Sequence, residues 1–72
     1  MGSAPKNPVK EGLVEESLPS LTFKVKLLGT DEVILAHLAG KLRLYNIRVF
    51  PGDKVLVEMS DDGSRGRIVR RL

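Results

Sequence analysis

The segment at residues 40–54, GKLRLYNIRVFPGDK, combines three cations with one aromatic ring, side-chain types that can contact phosphates and bases. Lys41, Arg43 and Arg48 can replace the counterions condensed on phosphates, and the two guanidinium groups can also stack on bases. Tyr45 adds a flat ring for stacking on an extruded base. Two alternatives stay open, because charged loops are often merely solvated and Tyr45 could instead cap one end of the fold with its hydroxyl in water.

A second basic segment lies at the end of the chain. The net charge is +3, and residues 36–54 hold four cations and one carboxylate, while residues 64–72 hold four arginines. Residues 9–35 and 55–63 are net acidic. The distribution favours an anionic partner and confines the basic residues to these two segments, the second of which contains Arg65 and Arg67. Arg70 and Arg71 have an alternative role, which is to keep a terminal strand from pairing with another chain.

Residues suited to catalysis are scarce. The chain has one histidine, His37, and no cysteine, and the neighbouring Glu15 and Glu16 would point to opposite faces of a strand. Gly40-Lys41 lacks the partner glycine and the hydroxyl of a phosphate-cradling loop. We therefore expect no enzyme activity, no cofactor and no metal site. His37 ends an apolar segment and is a candidate RNA contact, or alternatively a half-exposed histidine without a ligand.

Size and composition predict one small β domain. The 72 residues are 42% hydrophobic with only three aromatics, so valine, leucine and isoleucine must build the core. Phe23 and Phe50 are expected to pack, the first in the core and the second in the core or a turn. The chain lacks cysteine, a signal-peptide segment and an apolar run near the ~20 residues of a membrane span. We expect a cytoplasmic protein, with the plastid stroma as the alternative, and no membrane partner.

Alternation of apolar and polar residues predicts five strands, at residues 9–18, 21–27, 33–38, 54–59 and 65–72. Residues 1–8 have no periodicity and are expected to be a flexible tail before a domain at residues 9–72. Gly12 marks a bulge or sharp bend in the first strand, and the third strand is predicted to be buried on both faces over part of its length.

The sequence indicates the inward-facing residues more clearly for the fourth strand than for the fifth. In the fourth, Val55, Val57 and Met59 are predicted to point inward. In the fifth, Ile68 and Leu72 share one predicted side. Turn residues at 51–53 and 61–63 precede these strands.

The element order is that of a five-stranded OB-fold barrel, an all-β class. Three strands form a meander, two form a hairpin, and an insert at residues 40–50 joins them. Leu42, Tyr45 or Asn46, and Val49 have the spacing of one short helix, which OB-fold barrels commonly carry between strands 3 and 4. An SH3-like barrel is the main alternative.

Four segments together resemble bacterial translation initiation factor 1, including its plastid relatives. They are EGLVEESLPS, FKVKL, HLAGKLRLYNIRVFPGDKV and RGRIVRRL, in the family's order and at nearly its spacing, and the resemblance covers residues 10–72. It implies a monomeric one-domain factor that binds the small ribosomal subunit at the decoding A site, against rRNA and a ribosomal protein. It also implies action with the two larger initiation factors.

Carried over by position, the resemblance implies that Lys41, Arg43 and Arg48 face rRNA and that Arg65 and Arg67 are basic positions near the other end of the barrel. The chain departs from the family pattern in two places. Its aromatic residue stands at Tyr45, one place earlier than usual, and Leu44 replaces a basic or polar residue. The turn SDDGSR is short and acidic and lacks the tyrosine often found there.

Two other functions remain alternatives. A cold-shock type chaperone of single-stranded RNA would expose several aromatics on neighbouring strands, and Phe23 is the one strand candidate here. An SH3-like protein-interaction module would need an aromatic-lined groove, for which three aromatics provide little material.

Overall fold

A computed structural model describes residues 9–60 and 63–72, which form five strands and one short helix. The elements are β1 (Val9–Leu18), β2 (Thr22–Leu27), β3 (Val33–Leu38), α1 (Gly40–Leu44), β4 (Lys54–Met59) and β5 (Arg65–Arg71). The strands close into a barrel in the order β1-β2-β3-β5-β4. The predicted OB-fold barrel is confirmed, and the helix between β3 and β4 argues against the SH3-like alternative.

Closure of the barrel depends on two non-local pairings. β1, β2 and β3 form an antiparallel meander, and β4 and β5 form an antiparallel hairpin. β1 pairs antiparallel with β4, whereas β3 pairs in parallel with β5. The parallel register sets His37 opposite Arg67 and Leu35 opposite Arg65. Residues far apart in sequence are therefore neighbours on the outer face.

The core is filled by alternate residues from all five strands. Val55, Val57 and Met59 point inward as predicted, and Phe23 is a core residue with 4% of its surface exposed. Each fully buried aliphatic side chain contributes roughly 1.5–3 kcal/mol relative to an exposed one. The most completely buried large side chains are Val14, Val25, Leu27, Val55, Val57 and Ile68.

Two predictions about strand environment were wrong. Val33 and Leu35 are exposed, so β3 is buried on one face only. The reason is that the outer face of a strand in a small closed barrel has no second layer to cover it. The bulge of β1 lies between Val14 and Glu16, not at Gly12. Gly12 instead lies against the side chain of Val25, where a Cβ atom would overlap it.

Three apolar side chains at or near the ends of strands lie at the surface, namely Leu21, Leu72 and Phe50. Leu21 precedes β2 in a left-handed backbone conformation, with φ 55°. Leu72 does not share the buried side of Ile68, because the β4–β5 register shifts between Leu56 and Val57 and reverses the alternation. Phe50 is 53% exposed, so of the two predicted positions it does not take the core, and its backbone belongs to the turn before β4.

The turn before β4 is closed by a side chain. The Phe50 N–H donates to the carboxylate of Asp53 at 2.8 Å, and Gly52 supplies a positive φ of 95°. The predicted turn at 61–63 and the predicted tail at 1–8 fall mainly on residues outside the described ranges. In the described part of the chain, no helix has both the length and the apolar character needed to cross a membrane.

Candidate nucleic-acid interface

The helix α1 is held to the barrel by Leu42 and leaves its two cations exposed to solvent. Leu42 and Val49 are buried, and Ile47 packs against the same core. The predicted short helix is present, but it ends at Leu44, so Val49 lies beyond it, and Tyr45 and Asn46 are exposed. Lys41 and Arg43 are exposed and lie about 100° to either side of Leu42 around the short helix. The pattern of burial therefore fixes which residues of the insert can meet a partner.

The end of α1 sets the position of Tyr45. The Tyr45 N–H donates to the Lys41 carbonyl at 3.2 Å, and the Asn46 N–H donates to the Arg43 carbonyl at 3.1 Å. Asn46 then turns the chain with φ 56°, a conformation that asparagine tolerates better than most residues. The Tyr45 side chain is left 67% exposed, which argues against the capping alternative and leaves its ring open for stacking.

A basic surface lies on the outer face of β3, β5 and β4. His37, Arg65 and Arg67 line a depression of about 300 Å³, which we call the strand-face depression. It also contains Glu58, Met59, Ser60 and Gly66. His37 and Arg65 continue into an adjoining depression of about 250 Å³ that reaches Thr22 and Leu35. Three of the predicted site residues are therefore brought together.

Lys41 joins this surface through a second depression. Ala39, Gly40, Lys41, Arg67 and Val69 line a space of about 270 Å³ between the start of α1 and β5, which we call the helix depression. Arg67 lines both the helix and the strand-face depressions. A continuous path consequently leads from Lys41 over Arg67 to His37 and Arg65.

Arg43 and Arg48 lie at a separate site, which we call the arginine cleft. It has a volume of about 250 Å³. Leu21 and Asn46, which sequence reasoning did not assign to the site, line it together with the two arginines. The Tyr-Asn sequence at the predicted helix end could have indicated that Asn46 belongs to the site. Leu21 gave no such signal, because the alternation of apolar residues had placed it within a strand. The full lining is Leu21, Leu38, Arg43, Asn46, Ile47 and Arg48.

The exposed cations differ in whether a carboxylate neutralises them. Arg67 pairs with Glu58, and Arg71 lies 3.5 Å from Asp53. On β2, Lys24 pairs with Glu16 at 3.6 Å and Lys26 pairs with Asp31 at 3.7 Å. Within residues 9–60 and 63–72, four predicted contacts have no carboxylate within 4.0 Å, namely Lys41, Arg43, Arg48 and Arg65. Their charge is therefore available to an anionic partner.

The predicted residues thus divide between two neighbouring surfaces and one exposed ring. Lys41, His37, Arg65 and Arg67 share the continuous path, Arg43 and Arg48 share the cleft, and Tyr45 stands free. No group of three or more histidine, cysteine, aspartate or glutamate side chains suited to a metal ion occurs in the described part of the chain. A five-stranded OB-fold barrel with such a surface defines a small nucleic-acid-binding protein.

Comparison with known proteins assigns the family. The model of the family described as translation initiation factor 1A / IF-1 matches residues 3–72, and this chain belongs to that family. It is similar to the solution structure of translation initiation factor 1 from the Wolbachia endosymbiont strain TRS of Brugia malayi. The identity is 45% over 89% of this chain and 76% of that chain, with a TM-score of 0.72. The resemblance inferred from the sequence is confirmed, and ribosome and RNA binding follow from this membership.

A second solved structure shares the barrel within a larger protein. YjeQ from Thermotoga maritima matches with 34% identity and a TM-score of 0.75 over 90% of this chain. The match covers 23% of the YjeQ chain, so the likeness concerns one part of that protein.

Proposed function

We propose that this protein is an initiation factor that binds the small ribosomal subunit at the decoding A site, through contacts with rRNA. It acts there by occupying the site and not by catalysis. The observation that carries the proposal is the continuous path from Lys41 over Arg67 to His37 and Arg65, supported by the family membership. Folded rRNA presents closely spaced phosphates and extruded bases, which such a surface suits.

Each proposed contact has a physical role. Lys41 provides a compact charge for a phosphate, while Arg43 and Arg48 provide planar forks beside the apolar floor of the arginine cleft. Arg65, Arg67 and His37 contact the backbone along the strand face. Tyr45 stacks on an unpaired base, an interaction worth ~1–3 kcal/mol.

The rigidity of the barrel explains how the protein could act by occupying the A site. The described part of the chain has principal extents of 35 × 30 × 20 Å, and each strand of its barrel pairs with a neighbour on both sides. A rigid body anchored by several cations excludes other ligands from the same space and biases the decoding bases toward the conformation it binds. The proposed partners are small-subunit rRNA, a ribosomal protein near the A site and the two larger initiation factors. The proposed active form is a monomer whose RNA-binding domain is residues 9–72, located in the cytoplasm or, alternatively, the plastid stroma.

Neither alternative function is favoured by a specific observation. The ring of Phe23 is buried, so the strand face lacks the exposed aromatic platform that a cold-shock type chaperone uses. The other two aromatics, Tyr45 and Phe50, lie on the connection between α1 and β4.

Co-sedimentation with purified small subunits tests the proposal. We expect saturable one-to-one binding of the full chain, protection of A-site decoding bases, and much weaker binding to unstructured single-stranded RNA. The variant K41Q/R43Q should reduce the slope of log affinity against log salt by about two, because two phosphate contacts are lost.

The matched control is K24Q/K26Q, which removes the same charge from two lysines already paired with Glu16 and Asp31. It should leave the salt slope nearly unchanged. Equal affinity for any single-stranded RNA would contradict A-site recognition. An identical slope change in both double variants would contradict the assignment of contacts to α1.

A further inference from the structure

One carboxylate interrupts the basic strand face. Glu58 on β4 stands opposite Arg67 on β5, and Arg67 stands opposite His37 on β3, so the three form one row across the barrel. Glu58 accepts a hydrogen bond from Nη2 of Arg67 and lines the strand-face depression together with Arg65. A negative charge here reduces the attraction of the surface for phosphate.

The pair holds Arg67 in a defined place. The Glu58 side chain is 23% exposed, whereas that of Arg67 is 50% exposed, so the carboxylate is the more firmly enclosed partner. An arginine has five N–H donors in a planar fork, and the contact with Glu58 uses one Nη2 donor. The remaining donors and one guanidinium face stay available to a ligand that approaches from the helix depression or the strand-face depression.

These contacts distinguish ligands by shape. A flexible single-stranded RNA that binds through its phosphates alone gains little from Arg67, because Glu58 already neutralises the charge of that arginine. A folded RNA whose groups fit the fixed guanidinium loses less ordering entropy on binding, because the protein side chain is already positioned. The carboxylate therefore lowers affinity for general RNA more than affinity for a matching structure.

We propose that Glu58 is a positioning residue that makes binding at the strand face selective for folded RNA, by orienting Arg67 and reducing its attraction for unmatched phosphates. This inference rests on the proposed function and names a determinant of selectivity within that site. Removing the carboxylate charge should increase affinity while decreasing discrimination, which is opposite to the loss of affinity expected for an ordinary contact residue.

The test compares E58Q with D31N. Glutamine keeps the size of Glu58 and removes its charge. The Lys26–Asp31 pair is a matched control because it also joins an exposed cation to a carboxylate. Its distance from the strand-face depression follows from the position of Val33, which stands opposite Lys26 on β3. Val33 is four residues from His37 along β3, or about 13 Å, which exceeds the ~8 Å Debye length at physiological salt. Asparagine also tolerates the φ of 59° at position 31.

Affinities of the full chain for purified small subunits and for an oligouridylate are measured across a range of salt concentrations. For E58Q we expect several-fold tighter oligouridylate binding, a salt slope steeper by about one, and a subunit-to-oligouridylate affinity ratio lowered by about three- to tenfold. D31N should change the ratio by less than about twofold. Equal changes in E58Q and D31N would overturn the inference.

Two further variants test whether Glu58 acts through Arg67. In an R67Q background, E58Q should change the affinity ratio by a smaller factor, because only the general repulsion between the carboxylate and phosphate then remains. An undiminished effect would overturn the positioning role. R67K keeps the charge but loses the planar fork, so the ratio should decrease while the salt slope stays constant. An unchanged ratio in R67K would likewise contradict orientation of the guanidinium.

The same experiment separates the two proposals. If the unaltered protein shows no preference for small subunits over oligouridylate, the proposed function itself is wrong. If that preference is present and E58Q retains it as D31N does, the role of Glu58 alone is wrong. Thermal unfolding of every variant verifies that the affinities refer to folded protein.

Discussion

Lys41 at the start of α1 and Arg67 in β5 line the same surface depression. The backbone explains their proximity, because the Ala39 N–H donates to the Ile68 carbonyl at 2.9 Å and so ties the chain entering the helix to β5. The two basic segments of the sequence thereby meet on one surface. A polyanion crossing that surface can contact both cations at once.

Charge removal at this junction should reduce the salt dependence of subunit binding. We expect K41Q to lower the slope of log affinity against log salt by about 0.7–0.9, the contribution of one phosphate contact. R67Q should lower the slope by less, because Glu58 already neutralises part of the Arg67 charge. Lys54 is a suitable control because it is an exposed cation far from this junction. It lies four residues along β4 from Glu58, the residue opposite Arg67, which is about 13 Å. K54Q should leave the slope unchanged, and a loss as large as that of K41Q would show that total charge, not position, controls binding.

Replacement of Tyr45 should separate binding from stability. Its side chain is 67% exposed, so Y45A should change the free energy of unfolding by no more than about 0.5 kcal/mol. If the ring stacks on a base, the same variant should weaken subunit binding by about 1–3 kcal/mol, whereas Y45F should retain affinity.

F50A is the matched control for Y45A, since Phe50 is also exposed but is not a proposed RNA contact. Its subunit affinity should equal that of the unaltered protein. Equilibrium binding and urea unfolding of all three variants provide the two measurements. A Y45A variant with full affinity would remove the tyrosine from the interface.

Truncation of Ile68 should weaken the barrel at its closure. Ile68 is fully buried, and its strand pairs with β3 on one side and β4 on the other. We expect I68A to lower the free energy of unfolding by about 2–5 kcal/mol and I68V by about 0.5–1.5 kcal/mol. Urea denaturation gives both values, and a cost for I68A no greater than that for I68V would contradict tight packing at this position.

Two glycines should respond oppositely to the same substitution. Gly66 faces inward, where a Cβ atom would overlap the Val57 side chain and lie 3.0 Å from Cδ1 of Ile34. G66A should therefore destabilise the protein by about 1–3 kcal/mol, the usual cost of overpacking. Gly40 has open space at its Cβ position and begins α1, so G40A should be neutral or stabilise by up to about 1 kcal/mol. Equal costs at both positions would contradict the close approach of Gly66 to Val57.

The strands were largely predictable because their signals are local. Alternation in KVLVEM identified the inward side of β4, and turn residues at 51–53 marked where β4 begins. The same pattern could not predict the exposure of Val33 and Leu35, because alternation shows which residues share a face but not whether another layer covers it. Nor could it predict that Gly12 accommodates Val25, since that contact depends on cross-strand register.

The sequence by itself determined the order of the elements, the family and the residue types of the candidate site, because these depend on periodicity, turn chemistry and recognisable motifs. The tertiary structure alone decided how the cations are grouped. Parallel pairing of β3 with β5 set His37 beside Arg67, and antiparallel pairing of β4 with β5 set Glu58 on the other side of that arginine. Such long-range register results from closing the whole barrel at once, so no local segment contains it.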